Sequence, residues 1–269
     1  MKTFGEIVDK VLNEGIDFDP MNRVVSYNPS HEENVDTSTE HNPTFDDSIV
    51  DGVRVWSIFK RKVGLRGDGN PLVYALKGEG GWHFRTPQDE DAINRQFNII
   101  ASKFAALYPI GVTIIIPSSN DLNRRVADVV MSKSENAHLI EGFIRKLTTE
   151  EVDNIVMAEG SRFREVYGDK FNDAYYQLCD YLNIMDKEKD GTFTRHFIRD
   201  QKMRDVLDMT LTLSNDGFAR FAKLINGQNI LLIDDTISRG QTIKNACDII
   251  NDSYAPASIT VLTLLSKLS

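Results

Sequence analysis

The sequence predicts an α/β protein built on an open, mostly parallel sheet flanked by helices, and two segments carry that expectation. Ile230-Leu231-Leu232-Ile233 is an uninterrupted apolar run that ends in Asp234 and Asp235 and passes through a hydroxyl-rich loop into a helical pattern. Buried parallel strands read as such continuous runs, whereas half-exposed strands alternate. Residues 112–116, bounded by Gly111 and Pro117, repeat the arrangement: an apolar run, a turn through Asp121, then Leu122, Val126, Val129 and Val130 at helical spacing. The chain's 269 residues with 41% apolar content suffice for a substantial core.

Taken in order, Phe4, Ile7, Val8, Val11 and Leu12 predict a short amphipathic helix with Gly15 as its stop. Residues 28–47 turn polar and acidic. His31 and His41 lie there near carboxylates, but their spacing matches no metal site, and a solvated loop is expected. Residues 53–60 alternate like a strand, and residues 71–77 are expected to return beside them as a β-hairpin around a glycine-rich loop. Thr86-Pro87-Gln88-Asp89 predicts a capped helix start, followed by Ile93, Phe97, Ile100, Phe104 and Leu107 on one face.

Residues of about 131–199 read as a helical insertion. Within it, residues 138–147 and a face through Phe171, Tyr175, Leu178 and Leu182 suggest helices, and residues 148–151 suggest a capping box. Val206, Met209, Leu211 and Leu213 suggest a strand, residues 215–225 a helix, Gly227 a turn, and residues 257–265 a last buried strand. The expected organisation is therefore 1–52 as amino-terminal helix and polar loop, 53–110 as hairpin hood and start of the core, and 111–269 as the core with its insertion.

The formal charge of −9 argues against a broad nucleic-acid-binding surface, which needs clustered cations. Cys179 and Cys247, far apart and within apolar patterns, predict buried thiols and neither a zinc site nor a disulfide framework. No basic start followed by a long apolar region and no run of membrane-spanning length is present, so a cytoplasmic protein is expected.

The chemistry concentrates after Ile233. Asp234 and Asp235 fall at the carboxyl end of a predicted strand, the edge where open α/β sheets bind ligands. Ile243, Ala246, Cys247 and Ile250 mark the next helix, whose free amides and dipole favour a phosphate. Carboxylates beside a phosphate are repelled by it and suit sugar hydroxyls, which points to a phosphorylated ribose.

The order of residues from Ile230 through Asp234-Asp235-Thr236-Ile237-Ser238-Arg239-Gly240-Gln241-Thr242 resembles the phosphoribosyl pyrophosphate (PRPP) signature of type I phosphoribosyltransferases. Arg239 stands where many members carry a small hydroxyl or acidic residue. The motif is similar to those of amidophosphoribosyltransferases and competence-type members, but no cysteine lies near the amino end to act on glutamine.

The resemblance implies a core sheet with a hood and a mobile insertion, and transfer of a 5-phosphoribosyl group from PRPP to a nitrogenous acceptor with release of diphosphate. It further implies Asp234 and Asp235 on the ribose hydroxyls and near Mg2+, with the ion held mostly by diphosphate oxygens and water. Residues Thr236 to Thr242 would take the 5-phosphate, and Pro117-Ser118-Ser119-Asn120 with Arg124 the diphosphate. A cationic tract with Arg195, Arg199, Lys202 and Arg204 either closes over the diphosphate or borders a solvated helix.

Trp56, Tyr74, Trp82 and Phe84 are candidates to stack on the acceptor, whose identity the sequence does not reveal. A homodimer is compatible with this reading. The alternative from another class is a non-catalytic PRPP or nucleotide sensor on the same fold. A PRPP synthetase is weaker, because no second nucleotide site for ATP is evident.

Overall fold

The computed structural model describes residues 14–50, 52–62, 70–118, 120–158, 160–194, 197–207, 210–214, 218–237 and 240–266. The predicted helix through Phe4 and Leu12, the glycine-rich residues 64–69, and Ser119, Arg195, His196, Met209, Ser238 and Arg239 lie outside the described residues.

In chain order, β1 (Gly15–Asp19), β2 (Val24–Asn28), β3 (Val35–Asp36), β4 (Thr44–Asp46) and β5 (Arg54–Arg61) precede α1 (Pro71–Lys77), β6 (His83–Phe84) and α2 (Pro87–Leu107). Next come β7 (Val112–Ile115), α3 (Leu122–Met131), β8 (His138–Ile140), β9 (Ile144–Lys146), α4 (Thr149–Ala158), α5 (Gly160–Tyr167), α6 (Phe171–Glu188) and α7 (Gln201–Val206). The order is completed by β10 (Leu211–Leu213), α8 (Phe218–Ile225), β11 (Asn229–Thr236), α9 (Gln241–Ser253) and β12 (Ser258–Leu265).

The main sheet runs β6-β2-β1-β3-β5-β12-β11-β7-β8. Its β5-β12-β11-β7-β8 portion is parallel, and β1 to β4 extend it with antiparallel pairings. The protein is thus α/β, with a mixed and mostly parallel central sheet between helices. The apolar run of β11 serves both faces because successive strand side chains point to opposite sides. Leu231 and Ile233 join the core with Phe97, Phe104 and Val126 of α2 and α3, while Ile230 and Leu232 join Ile243, Ala246 and Ile250 of α9. Burial in that second core pushes the Cys247 thiol up to about 12, so it behaves as an apolar filler.

This layering creates the site. From β7 the chain crosses through α3 to β8 on one face, and from neighbouring β11 it crosses through α9 to β12 on the other. Loops that leave adjacent parallel strands toward opposite faces open a crevice at the strands' carboxyl ends.

Several expectations are corrected. Residues 53–77 do not form a hairpin hood: β5 is a parallel strand beside β12, and Pro71–Lys77 is a helix. The side chain of Asn70 caps α1 by accepting from the Leu72 amide, Pro71 occupies its first turn, and Gly78 closes it in the left-handed region at φ 66°. The antiparallel pair at the amino end is instead β1 with β2.

Residues 28–47 are no solvated loop. Val35, Asp36, Thr37, Ser38 and Asn42 are buried, and the Asp36 carboxylate accepts from the Ser38 amide and hydroxyl and lies 3.2 Å from His41 Nδ1. Internal hydrogen bonds allow a polar sequence to be packed away. Residues 138–147 are not helical: β8 and β9 are separated by Gly142 at φ 66°, so two short strands replace one helical period. Val206 belongs to α7 and not to the following strand, and Leu107 is exposed at the end of α2.

The insertion is shifted toward the carboxyl end from the expected residues of about 131–199. It enters through β9 and leaves through β10, which pair antiparallel with Lys146 opposite Leu211. Its helices enclose their own core around Phe163, Leu178, Met185, Phe193 and Met203. A capping box forms as expected at Thr148, whose hydroxyl accepts from the Glu151 amide while the Glu151 carboxylate accepts from the Thr148 amide. The same motif at Thr86 and Asp89 starts α2.

Candidate functional site

A cleft of about 300 Å³ lies at the carboxyl ends of β7 and β11. Pro117 and Ser118 line it from the β7 side, and Asp234, Asp235 and Thr236 from the end of β11. Thr242 in the first turn of α9, Lys77 at the end of α1 and Lys146 at the end of β9 complete its polar wall. Phe193 and Thr194 border it from the insertion, and Thr210 and Leu211 from the ribbon that closes the insertion.

The two loops expected to share a ligand are in direct contact. Ser118 Oγ donates to Asp235 Oδ2 at 3.2 Å, and Thr236 Oγ1 donates to Asp235 Oδ1 at 2.9 Å. Lys77 Nζ lies 2.5 Å from Asp235 Oδ2, with the two side chains only 12% and 15% exposed. The Asp235 carboxylate is therefore paired with one ammonium and accepts from two hydroxyl groups.

Asp234 has the opposite environment. It is 9% exposed, and one of its oxygens accepts from the Asp235 amide at 2.9 Å. Burial, then the neighbouring Asp235 charge, pushes its carboxyl up to about 7 despite help from Asn123 and Lys77. Asn123, buried on α3, donates its other amide bond to the Ile116 carbonyl, so one side chain braces both strand ends. The two adjacent carboxylates thus sit in different surroundings, Asp235 paired with Lys77 and Asp234 buried with its carboxyl pushed up to about 7.

Among the described residues no side chain caps the start of α9. Gly240 occupies the position before it at φ 72° and supplies no side chain to cap the first amides. A Cβ there would also lie 2.5 Å from Ile49 Cγ2, so both backbone and packing require glycine. Free amides at a helix start, together with the helix dipole, favour an anion. Ile237, the residue after β11, is anchored at both backbone groups: buried Arg61 donates from Nη2 to its carbonyl at 3.2 Å, and its amide donates to the Leu265 carbonyl.

The sequence-predicted residues divide clearly. Pro117, Ser118, Asp234, Asp235, Thr236 and Thr242 are brought to one cleft. Asn120 is used structurally, its side chain accepting from the Leu122 amide at 3.0 Å. Arg124 is exposed and bonded to Asp128 and Glu141, which raise its pKa, so it is occupied outside the cleft. Arg199, Lys202 and Arg204 lie before or on α7 and are not among the residues lining the cleft. Trp56 packs against Phe45, Phe104 and Tyr108 and is a core ring.

Lys77, Lys146, Asn123 and Arg61 were not anticipated. Each reaches the site from an element remote in sequence, and only the Asn70-Pro71 helix signal bears on one of them, by ending α1 at Lys77.

A magnesium ion fits this donor set only together with a ligand. Both Asp235 oxygens already accept hydrogen bonds, and Asp234 is biased toward its neutral form. The ion's remaining ligands would have to be diphosphate oxygens and water, in keeping with its usual habit. Elsewhere, Glu32, Asp36 and His41 bring potential ligand atoms within 4.8 Å of one another, but Lys62 pairs with Glu32, and the cluster works as an internal network tying β3 to β5.

Among the described residues no helix is long and apolar enough to cross a membrane. No model of a known protein family matches the chain, and no curated protein matches it in sequence.

Proposed function

We propose that the chain is a PRPP-dependent phosphoribosyltransferase that transfers the 5-phosphoribosyl group to a nitrogenous small molecule. The observation that carries this reading is the hydrogen bond from Ser118 to Asp235. It joins the loop after β7 to the end of β11 in one cleft, beside the uncapped start of α9. Such a site can hold a phosphate at the helix, a ribose at the carboxylates and a second anionic group at the β7 loop.

The chemistry asked of these residues is electrostatic. Breaking the anomeric bond builds positive charge on the ribose ring, and in this reading the Asp235 carboxylate would counter that charge. Asp234, poised near neutrality, can accept from or donate to a ribose hydroxyl. Bound Mg2+ would supply charge neutralisation for the diphosphate. The first amides of α9 and Thr242 would orient the 5-phosphate, so that binding energy far from the anomeric carbon fixes its position.

Isothermal calorimetry with PRPP and Mg2+, compared with ribose 5-phosphate, tests the reading. Saturable binding of both, tighter for PRPP, is expected; absence of PRPP binding contradicts it. The same cleft would serve a non-catalytic sensor, and PRPP binding without diphosphate release against a panel of nitrogenous bases would favour that second reading.

A further inference from the structure

The insertion carries a cavity of its own, about 540 Å³ in volume against about 300 Å³ for the cleft. Glu150 and Asp153 line it from α4, and Asp186 and Asp190 from the end of α6 and the turn that follows. Leu182, part of the insertion's apolar core, lines it as well. No lysine or arginine is among the described residues around it. The volume suits a small organic molecule. A concavity walled by one sign of charge over an apolar core focuses the field and concentrates ions of the opposite sign.

Two of the four carboxylates are held from within. The Tyr175 hydroxyl donates to Asp153 Oδ1 at 2.7 Å, and the hydroxyl of buried Thr149 donates to Asp186 Oδ1. The side chains of Glu150 and Asp190 form no hydrogen bond or ion pair with a described residue. These groups do not converge on a point: among the described residues, three acidic, cysteine or histidine ligand atoms come within 4.8 Å of one another only at Glu32, Asp36 and His41. A metal ion draws its oxygen ligands around one centre. Carboxylates spread around a cavity match cationic groups spread along an organic chain, whose methylenes can lie on Leu182.

We infer that this cavity is a binding site for an organic polyamine, and that its occupation steadies the segment of the insertion that borders the cleft. The connection is short. The amide of Thr149, in the cavity wall, donates to the Gly191 carbonyl at 2.8 Å, and the Phe193 amide donates to the Leu147 carbonyl at 2.9 Å. Phe193 and Thr194 line the cleft, so two residues separate the wall at Gly191 from it. A polyamine that bridges α4 to the turn at Asp190 draws together the two strands of chain that these bonds join. The site lies outside the cleft, and its occupation does not depend on the chemistry proposed there.

The test is calorimetry of the full chain with spermidine and, separately, with Mg2+ alone. It compares wild type with the double variant Glu150→Gln, Asp190→Asn and with a control of the same net charge, Asp173→Asn, Asp180→Asn, whose residues are exposed on α6 but do not line the cavity. Saturable binding of one spermidine is expected, weakened about tenfold in the cavity variant and changed less than about twofold in the control. Spermidine should also slow hydrogen exchange at the Thr149 and Phe193 amides of the wild type. No binding by the wild type, equal affinity in wild type and cavity variant, or equal weakening in the control would overturn the site. Displacement of spermidine by Mg2+, ion for molecule, would make it a metal site instead. Binding that leaves both amides exchanging at their original rates would overturn the link to the cleft.

Discussion

Asp234 is a carboxyl group whose charge the fold penalises. Its pKa rises to about 7 through burial and the adjacent Asp235, so between roughly pH 4 and 7 the folded chain keeps a proton that the unfolded chain releases. Stability associated with this group is therefore greatest at the acid end of that window and is lost as pH rises through it. Asp234→Asn removes the ionisation but keeps an acceptor for the Asp235 amide. Thermal melts should show little difference from wild type near pH 4 and a gain on the order of 1–3 kcal/mol at pH 8, roughly 2–10 °C. A variant less stable than wild type at pH 8 would contradict this assignment. The sequence made the two aspartates visible as a pair, but nothing in it shows that Asp234 is the one the fold buries, which is what raises its pKa against the opposing effects of Lys77 and Asn123.

At the scale of elements, the open start of α9 is the feature most easily disturbed. Gly240→Ala places a Cβ in the left-handed region and against Ile49. The expected cost is about 1–3 kcal/mol in urea unfolding, together with weaker ribose 5-phosphate binding. Unchanged stability and affinity would show that this glycine does not shape the loop.

Local signals explain which elements were legible. Thr86 with Pro87 and Asp89 announced α2 because cap and first turn were contiguous with a clear apolar face. Asn70 with Pro71 is the same type of signal, yet residues 71–77 were expected to be a strand because Leu72, Val73 and Tyr74 form too short an apolar run to reveal a period. Ile140 and Ile144 show the same ambiguity, resolved only by the turn at Gly142.

Across the whole molecule, the parallel sheet and the insertion have separate cores joined by the β9–β10 ribbon. Such cores open with different free energies. Leu178→Ala, which empties a fully buried position in the insertion, should cost about 2–5 kcal/mol. Hydrogen exchange should show the loss in α4 and α6, with β11 and β12 amides still protected. A uniform loss of protection would mean that the insertion and the sheet unfold as one unit.

The central sheet and its crevice were readable because β7, β11 and β12 are continuous apolar runs. The antiparallel extension was not, because β1 to β4 are short and their burial depends on polar networks such as that around Asp36.

The central claim is that the ends of β7 and β11 form one site for PRPP chemistry, and release of diphosphate from PRPP, assayed with Mg2+ against a panel of nitrogenous bases, tests it most directly. The expected result is acceptor-dependent release by the wild type and its loss, by about a hundredfold or more, in the Asp234→Asn, Asp235→Asn double variant that still folds. Equal release by wild type and double variant, or none by the wild type with any base, would contradict it.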